Sequence, residues 1–206
     1  MATTNARRPT ARRIPPNSAN QISAEASAVG DALTTTLAVI PAGAPILAME
    51  ELSAICRGLR DGGKRLVQCH GAFDLLHPGH IKHFQAAKVM GDVLVVTVTA
   101  DRFIRKGRGR PAFTQQLRAE SIAALRVVDF VAIADWPTGV EAIEHVRPHL
   151  YVKGQDYVDR SKDISGVIAA EESAAQRCGG KLVFTHEVQF SSTKLLTQHF
   201  TVFTDE

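Results

Sequence analysis

Two histidines separated by a proline and a glycine, His77 and His80, carry the residue types and spacing that suit phosphate chemistry. They close the stretch 71–80, which reads Gly-Ala-Phe-Asp-Leu-Leu-His-Pro-Gly-His. An imidazole can donate a hydrogen bond to a phosphate oxygen. Because proline favours the first turn of a helix, a helix that begins near Pro78 would let both rings face the same phosphate.

The stretch 71–80 also lies where a strand should end and a helix should begin. Residues 65–70 predict a buried strand and residues 81–90 predict a helix. At such a turn the free backbone N–H groups and the helix dipole favour an anion. Gly71 and Gly79 lack a Cβ and would allow a ligand to approach the backbone closely. Together these features favour a phosphate site over a helix start with two solvated histidines.

The elements that must position this turn alternate along the chain. The sequence predicts strands at 65–70, 93–98, 127–133, 150–152 and 182–185, and helices at 49–59, 81–90, 114–125, 138–146, 164–178 and 192–199. Short connections between them predict an α/β fold, a Rossmann-like five-stranded parallel sheet with helices on both faces. Ligands of such sheets bind beyond the carboxyl ends of the strands, where the stretch 71–80 should lie.

The stretch 71–80 resembles the G-x-F-D-x-x-H-x-G-H signature of the cytidylyltransferase-like nucleotidyltransferases, and it matches every position. The resemblance covers roughly residues 46–200. It implies that His77 and His80 are catalytic, stabilising the α-phosphate of a nucleoside triphosphate during in-line attack. The other signature positions are expected to bind the nucleotide, with Asp74 mainly fixing the loop: Gly71, Ala72, Phe73, Asp74 and Gly79.

A basic loop follows the second predicted strand. Five cations fall within residues 102–110, and two glycines lie among them, which is typical either of a loop that closes on phosphates or of a solvated charge run. The resemblance implies that Lys106 is the catalytic lysine that contacts phosphate. Arg118 matches a family arginine in the next helix and is expected to bind the nucleotide, the alternative being an exposed helix arginine.

Two later segments complete the expected site. In the segment 152–157, Gly154 would let the backbone pass close to the base, Lys153 could reach a phosphate, and Asp156 would either bind base or ribose or cap the turn. The segment 190–196 resembles the second family signature. Its hydroxyls and free N–H groups at a helix start would bind the β- and γ-phosphates: Ser191, Ser192 and Thr193.

The resemblance leaves two branches open. The segment 152–157 and the pair Arg110-Pro111 look like the branch that transfers AMP from ATP to a sugar 1-phosphate, as in the heptose 1-phosphate adenylyltransferases of ADP-heptose biosynthesis. The alternative is a cytidylyltransferase that uses CTP and an alcohol phosphate such as glycerol 3-phosphate. Residues 186–189 lack the arginine typical of that branch, so the first reading is favoured.

Two other classes remain as alternatives. The first is a nucleotide-binding module without turnover, against which the intact signature argues. The second is a metal site, because His70, His77, His80 and His83 fall close together in the sequence. No cysteine or carboxylate pattern completes a zinc shell, and His83 is expected on the helix surface, so no metal ligands are assigned. Mg²⁺ is expected to accompany the triphosphate.

Composition bounds the remaining expectations. The net charge is +3, but Arg7, Arg8, Arg12 and Arg13 lie in the leading tail, so no nucleic-acid surface is predicted. Three widely spaced cysteines favour a reducing cytoplasm, and no apolar run is long enough to span a membrane. Residues 1–45 are expected to form a disordered or weakly helical tail and linker, and 46–206 the nucleotidyltransferase domain. The chain is expected to form a homodimer and to carry no fused kinase half. A separate sugar kinase is expected to act upstream of it.

Overall fold

The computed structural model describes residues 43–157 and 166–186. The strands are β1 (Ile46–Leu47), β2 (Leu66–Gly71), β3 (Val93–Thr99), β4 (Phe130–Ala134), β5 (Leu150–Gly154) and β6 (Lys181–Thr185). The helices are α1 (Met49–Asp61), α2 (Pro78–Lys88), α3 (Gln115–Ala123), α4 (Val140–Val146) and α5 (Val167–Arg177). The expectations for the tail 1–42 and for the segment 190–199 lie outside these residues.

The described strands form one parallel sheet in the order β1-β4-β3-β2-β5-β6. The prediction of five strands was therefore wrong by one, because β1 adds a sixth strand at the edge. Ile46 and Leu47 pair with Val131 and Ala132 of β4. A strand of two residues is too short to show an alternating or continuous apolar pattern. The strand β1 is defined by its pairing with β4 and not by its local sequence.

Helices cover both faces of the sheet, as predicted. Phe84 of α2 and Ile122 of α3 pack on one face against strand residues such as Val96. Helices α1 and α4 pack on the opposite face, and α5 continues that layer over β5. The central strands β2 and β3 are buried along almost their whole length, which explains the run of apolar residues in β3, although β2 also buries Gln68 and His70.

The strand order creates a crevice between β2 and β5. From β2 the chain adds β3 and β4 on one side, whereas β5 and β6 lie on the other side. Cys69 of β2 pairs with Val152 of β5, so the carboxyl ends of both strands meet at the same level. Ligands of open α/β sheets bind at such a reversal of strand order. The stretch 71–80 and Gly154 both lie there.

None of the helices in the described part of the chain combines the length and apolar character needed to cross a membrane.

Gly180, at the entry to β6, provides a test of the packing between β5 and β6. A Cβ at this position would lie 2.1 Å from the Pro148 backbone oxygen, whereas a Cβ at Gly58 of α1 would meet nothing within 4 Å. We expect Gly180→Ala to lower the free energy of unfolding by about 1–3 kcal/mol, since the backbone must shift. The control Gly58→Ala should raise it by roughly 0.5–1 kcal/mol, because alanine is the better helix former. Urea unfolding of both variants measures the difference, and equal stabilities would contradict the packing described.

Candidate nucleotide site

The paired histidines lie at the start of α2, which begins at Pro78 as the phosphate interpretation requires. His77 is the N-cap, and its Nδ1 accepts a hydrogen bond from the His80 backbone N–H at 3.3 Å. The two rings stack with centroids 3.8 Å apart and planes 16° from parallel. The sequence-predicted pair is therefore brought together on one side of the helix start.

Burial keeps both imidazoles neutral near pH 7. It lowers the pKa of His77, and because Nδ1 accepts a backbone N–H, the ring proton lies on Nε2. Burial is also the main cause that lowers the pKa of His80 to about 3, and the neighbouring His77, His83 and Lys106 lower it further. A backbone hydrogen bond at Leu75 favours the protonated form of His80. An anion beside His80 would raise its pKa, so a bound phosphate would favour the protonated ring.

Phe73 holds the signature loop in an uncommon backbone conformation, with a φ of 46°. Its ring meets the His80 ring edge-on at 5.3 Å and the Phe84 ring at 5.0 Å. A Cβ at Gly71 would lie 3.2 Å from this ring. Gly71 is therefore explained by the packing of Phe73 inside the loop, in addition to the ligand approach expected from the sequence. Left-handed backbone at a non-glycine residue costs about 1–3 kcal/mol and clusters at functional sites.

Asp74 fastens the basic loop to the signature loop. Its Oδ1 accepts a hydrogen bond from the Ala112 backbone N–H at 2.6 Å, and its Oδ2 pairs with Arg110 Nε. The side chains of Asp74 and Arg110 are almost fully buried. This geometry supports the interpretation of Asp74 as the residue that fixes the loop. Lys106 itself is exposed in the loop, close enough to His80 to lower the pKa of that ring.

Arg118 is buried, with 2% of its surface exposed, so the alternative of an exposed helix arginine was wrong. Its guanidinium donates to the Ala72 oxygen, to the Thr99 oxygen at 2.8 Å, to Asp101 Oδ1 at 2.7 Å and to the Phe113 oxygen at 3.1 Å. One side chain thus joins the signature loop, the end of β3 and the start of α3. Contact between Arg118 and a nucleotide stays a prediction.

Lys153 belongs to β5, on the opposite side of β2 from β3, and its side chain is buried. Its Nζ lies 2.9 Å from Glu171 Oε2 and 5.2 Å from the ring centroids of both Tyr151 and Tyr157. Glu171 also accepts the Gly139 backbone N–H at 3.0 Å. Glu171 was not predicted from the sequence, because a carboxylate on α5 that meets β5 only in the folded chain leaves no local signal.

Of the remaining predicted positions, three lie within the described residues and three lie outside them. A Cβ at Gly154 would meet nothing within 4 Å, so the backbone there is open to a ligand. Asp156 lies in the 3-10 turn Gln155–Tyr157 that follows β5. Gly79 is buried in the first turn of α2. The expectations for Ser191, Ser192 and Thr193 lie outside the described residues.

His83 was expected on the helix surface, and this was wrong. The ring is half-buried, and its Nδ1 lies 2.8 Å from Thr185 Oγ1 at the end of β6. Within residues 43–157 and 166–186, no three histidine, cysteine or acidic side chains lie close enough to hold a metal ion.

The Asp74–Arg110 pair predicts a large effect on stability. We expect Asp74→Asn to lower the free energy of unfolding by about 3–5 kcal/mol, because a buried guanidinium loses its charged partner. The matched control is Asp135→Asn, which breaks an exposed pair with Arg102 and should cost no more than about 1 kcal/mol. Thermal and urea unfolding compare the two variants. Equal losses would contradict the buried pairing.

Comparison with known proteins gives a consistent result. The family model described as Cytidylyltransferase-like matches residues 69–197. Two curated relatives are each named Bifunctional protein HldE. The one from Koribacter versatilis (strain Ellin345) is 41% identical over 165 residues, which are 79% of this chain and 32% of that protein. The one from Geotalea uraniireducens (strain Rf4) is 45% identical over 116 residues, which are 55% of this chain and 24% of that protein.

Among solved structures, the lipopolysaccharide core biosynthesis protein from Thermoplasma volcanium GSS1 is 29% identical, with a TM-score of 0.51. The match covers 62% of this chain and all of that chain. The chain spans about a third or less of the length of the two curated relatives. Because the family model matches more than half of the chain and includes the complete histidine signature, the chain belongs to the cytidylyltransferase-like family.

Proposed function

We propose that this chain is a nucleotidyltransferase that transfers AMP from ATP to a sugar 1-phosphate of the heptose 1-phosphate type and releases pyrophosphate. The observation that carries the proposal is the stacked His77–His80 pair at the start of α2, beside the β2–β5 crevice. The similarity to proteins named HldE supports the sugar-phosphate branch, as do the residues of the segment 152–157.

The proposed reaction needs no covalent enzyme intermediate, because the sugar phosphate is already an anion. One of its oxygens forms a bond to the α-phosphorus in line, and the bond from that phosphorus to the bridging oxygen of pyrophosphate breaks. The pair of electrons leaves with pyrophosphate. The protein therefore contributes position and charge stabilisation.

The roles of the side chains follow from this reaction. His77 would donate from Nε2 to an α-phosphate oxygen. The triphosphate would raise the pKa of His80, and the protonated ring would donate to the same group as charge builds. Lys106, exposed in the basic loop, would neutralise the approach of two anions. The open backbone at Gly154 would lie against the base.

Mg²⁺ would arrive as part of the nucleotide substrate. Two described carboxylates that join the loops of the site do not fit a magnesium cage. Asp74 binds Arg110 and a backbone N–H. Asp101 likewise binds Arg118 and the Gln115 N–H. No step of the proposed mechanism is assigned to a protein-held metal ion. The upstream sugar kinase, the homodimer and the cytoplasmic location stay predictions.

A substrate panel tests the proposed reaction. We expect pyrophosphate release to be fastest when ATP is paired with heptose 1-phosphate, out of the four combinations of ATP or CTP with heptose 1-phosphate or glycerol 3-phosphate. The reason is that the segment 152–157 resembles the sugar branch. Release only with CTP and glycerol 3-phosphate would replace this function with the cytidylyltransferase alternative. Nucleotide binding without release for any pair would favour a non-catalytic module.

A second prediction concerns the histidine pair. We expect His80→Ala to lower the rate of pyrophosphate release by about 10²–10³, because one donor to the developing charge is lost. The circular dichroism spectrum should not change. The control is His149→Asn at the amino end of β5, whose Nδ1 accepts the Leu66 N–H and whose replacement keeps an acceptor. Near-normal turnover of His80→Ala would refute the assignment.

A further inference from the structure

Arg110 of the basic loop has a hydrogen-bond donor that the described part of the protein does not use. Its side chain is 1% exposed, and its Nε pairs with Asp74 Oδ2. The Nη2 atom is also buried, and no described residue accepts a hydrogen bond from it. A buried N–H without an acceptor costs free energy, and buried polar groups are therefore nearly always paired. The Nη2 atom is an exception that a bound ligand would remove.

The geometry of the Asp74 carboxylate explains why Nη2 is left over. A carboxylate and a guanidinium commonly form two parallel hydrogen bonds. Here Asp74 Oδ1 accepts the Ala112 backbone N–H at 2.6 Å, so only Oδ2 is left for Arg110. Asp74 thus fixes the position of the guanidinium without satisfying all of its donors. Phosphate oxygens are among the acceptors that suit a guanidinium best.

The unused donor lies beside the residues that were assigned to phosphate. Asp74 belongs to the signature loop, three residues before His77. The Arg110 backbone N–H donates to the Gly107 oxygen at 3.4 Å and closes a turn that begins directly after Lys106. The pKa of His80 is lowered mainly by burial, and Lys106 is close enough to lower it further. Arg110 is therefore part of the same corner as the paired histidines.

The position of the basic loop in the sheet distinguishes between the two substrates. The loop follows β3, which lies on the opposite side of β2 from β5. A nucleotide with its base against Gly154 of β5 and its α-phosphate at the paired histidines would occupy the β5 side. The β3 side is then left for the second substrate, whose own phosphate must reach the α-phosphorus. Two anions that meet need positive charge close by, and Arg110 supplies it on the β3 side.

We propose that Arg110 binds the acceptor, with its Nη2–H donating a hydrogen bond to a phosphate oxygen of the sugar 1-phosphate while Asp74 holds the guanidinium in place. This inference rests on the proposed function, because it names the residue of the same site that recognises the second substrate. Arg110 differs from Lys106 in being buried and fixed. Arg110 therefore sets the position of the acceptor phosphate, whereas the exposed Lys106 adds positive charge.

The substitution Arg110→Lys separates this role from a structural one. An ammonium group can keep the ion pair with Asp74, but it has no second nitrogen at the place of Nη2. The matched control is Arg177→Lys. Arg177 also pairs with a carboxylate, that of Glu144 at 2.7 Å, but it is exposed at the end of α5. Urea unfolding checks that both variants fold.

Pyrophosphate release from ATP and heptose 1-phosphate gives the first test. We expect Arg110→Lys to raise the KM for heptose 1-phosphate about tenfold or more, because one hydrogen bond to a charged group is lost. The KM for ATP should stay within about twofold. Arg177→Lys should leave both KM values unchanged. An unchanged KM for heptose 1-phosphate in Arg110→Lys would overturn the proposal. An equal rise in both KM values would also overturn it, because Arg110 would then only support the loop.

Binding of inorganic phosphate tests the same contact without turnover. The α,β-methylene analogue of ATP first fills the nucleotide site, and phosphorus NMR then follows a titration with inorganic phosphate. We expect the unsubstituted protein to bind phosphate about tenfold or more tightly than Arg110→Lys does. Equal affinities would contradict the proposal. The proposed function can fail separately, in which case the unsubstituted protein binds phosphate through Arg110 but releases no pyrophosphate with any substrate pair.

A crystal structure decides the question if Arg110→Lys does not fold. The unsubstituted protein is crystallised with the α,β-methylene analogue of ATP and inorganic phosphate. We expect a phosphate oxygen within hydrogen-bond distance, about 3 Å, of Arg110 Nη2. A structure in which no phosphate contacts Nη2 would overturn the proposal.

Discussion

The beginning of α2 between two histidines is the constraint on which the site depends. Because Pro78 occupies the first helical position, His77 becomes the N-cap and His80 falls within the first turn. The Nδ1 of one ring then binds the backbone N–H of the other residue, and the rings stack at 3.8 Å. A helix start displaced by one turn would separate the rings and remove the free N–H groups that favour an anion.

Two buried arginines maintain this corner from the side of β3. Arg110 binds the Asp74 carboxylate, and Arg118 binds backbone oxygens of the signature loop and of β3. Both guanidinium groups are removed from water and have charged or carbonyl partners, as burial of a charge requires. On the side of β5, the Lys153–Glu171 pair has the same character. The start of α2 is thus held by polar contacts that join loops distant in sequence, on a sheet whose core is apolar.

Most of the fold could be predicted from the sequence, because a buried strand or helix carries an apolar pattern within its own few residues. The edge strand Ile46–Leu47 could not, since two residues carry no period. At the site, the histidine pair was readable because its members are neighbours in the chain. Three other contacts were not readable, because their members meet only when the sheet forms: Arg118 with Asp101, His83 with Thr185, and Lys153 with Glu171.

The most direct test of the central claim is a crystal structure with the non-hydrolysable α,β-methylene analogue of ATP. The account predicts that the ring nitrogens of His77 and His80 both lie within hydrogen-bond distance, about 3 Å, of oxygens on the α-phosphorus. The base should lie against the open backbone at Gly154. A nucleotide whose α-phosphate lies away from the helix start, or two rings that turn apart when it binds, would contradict the account.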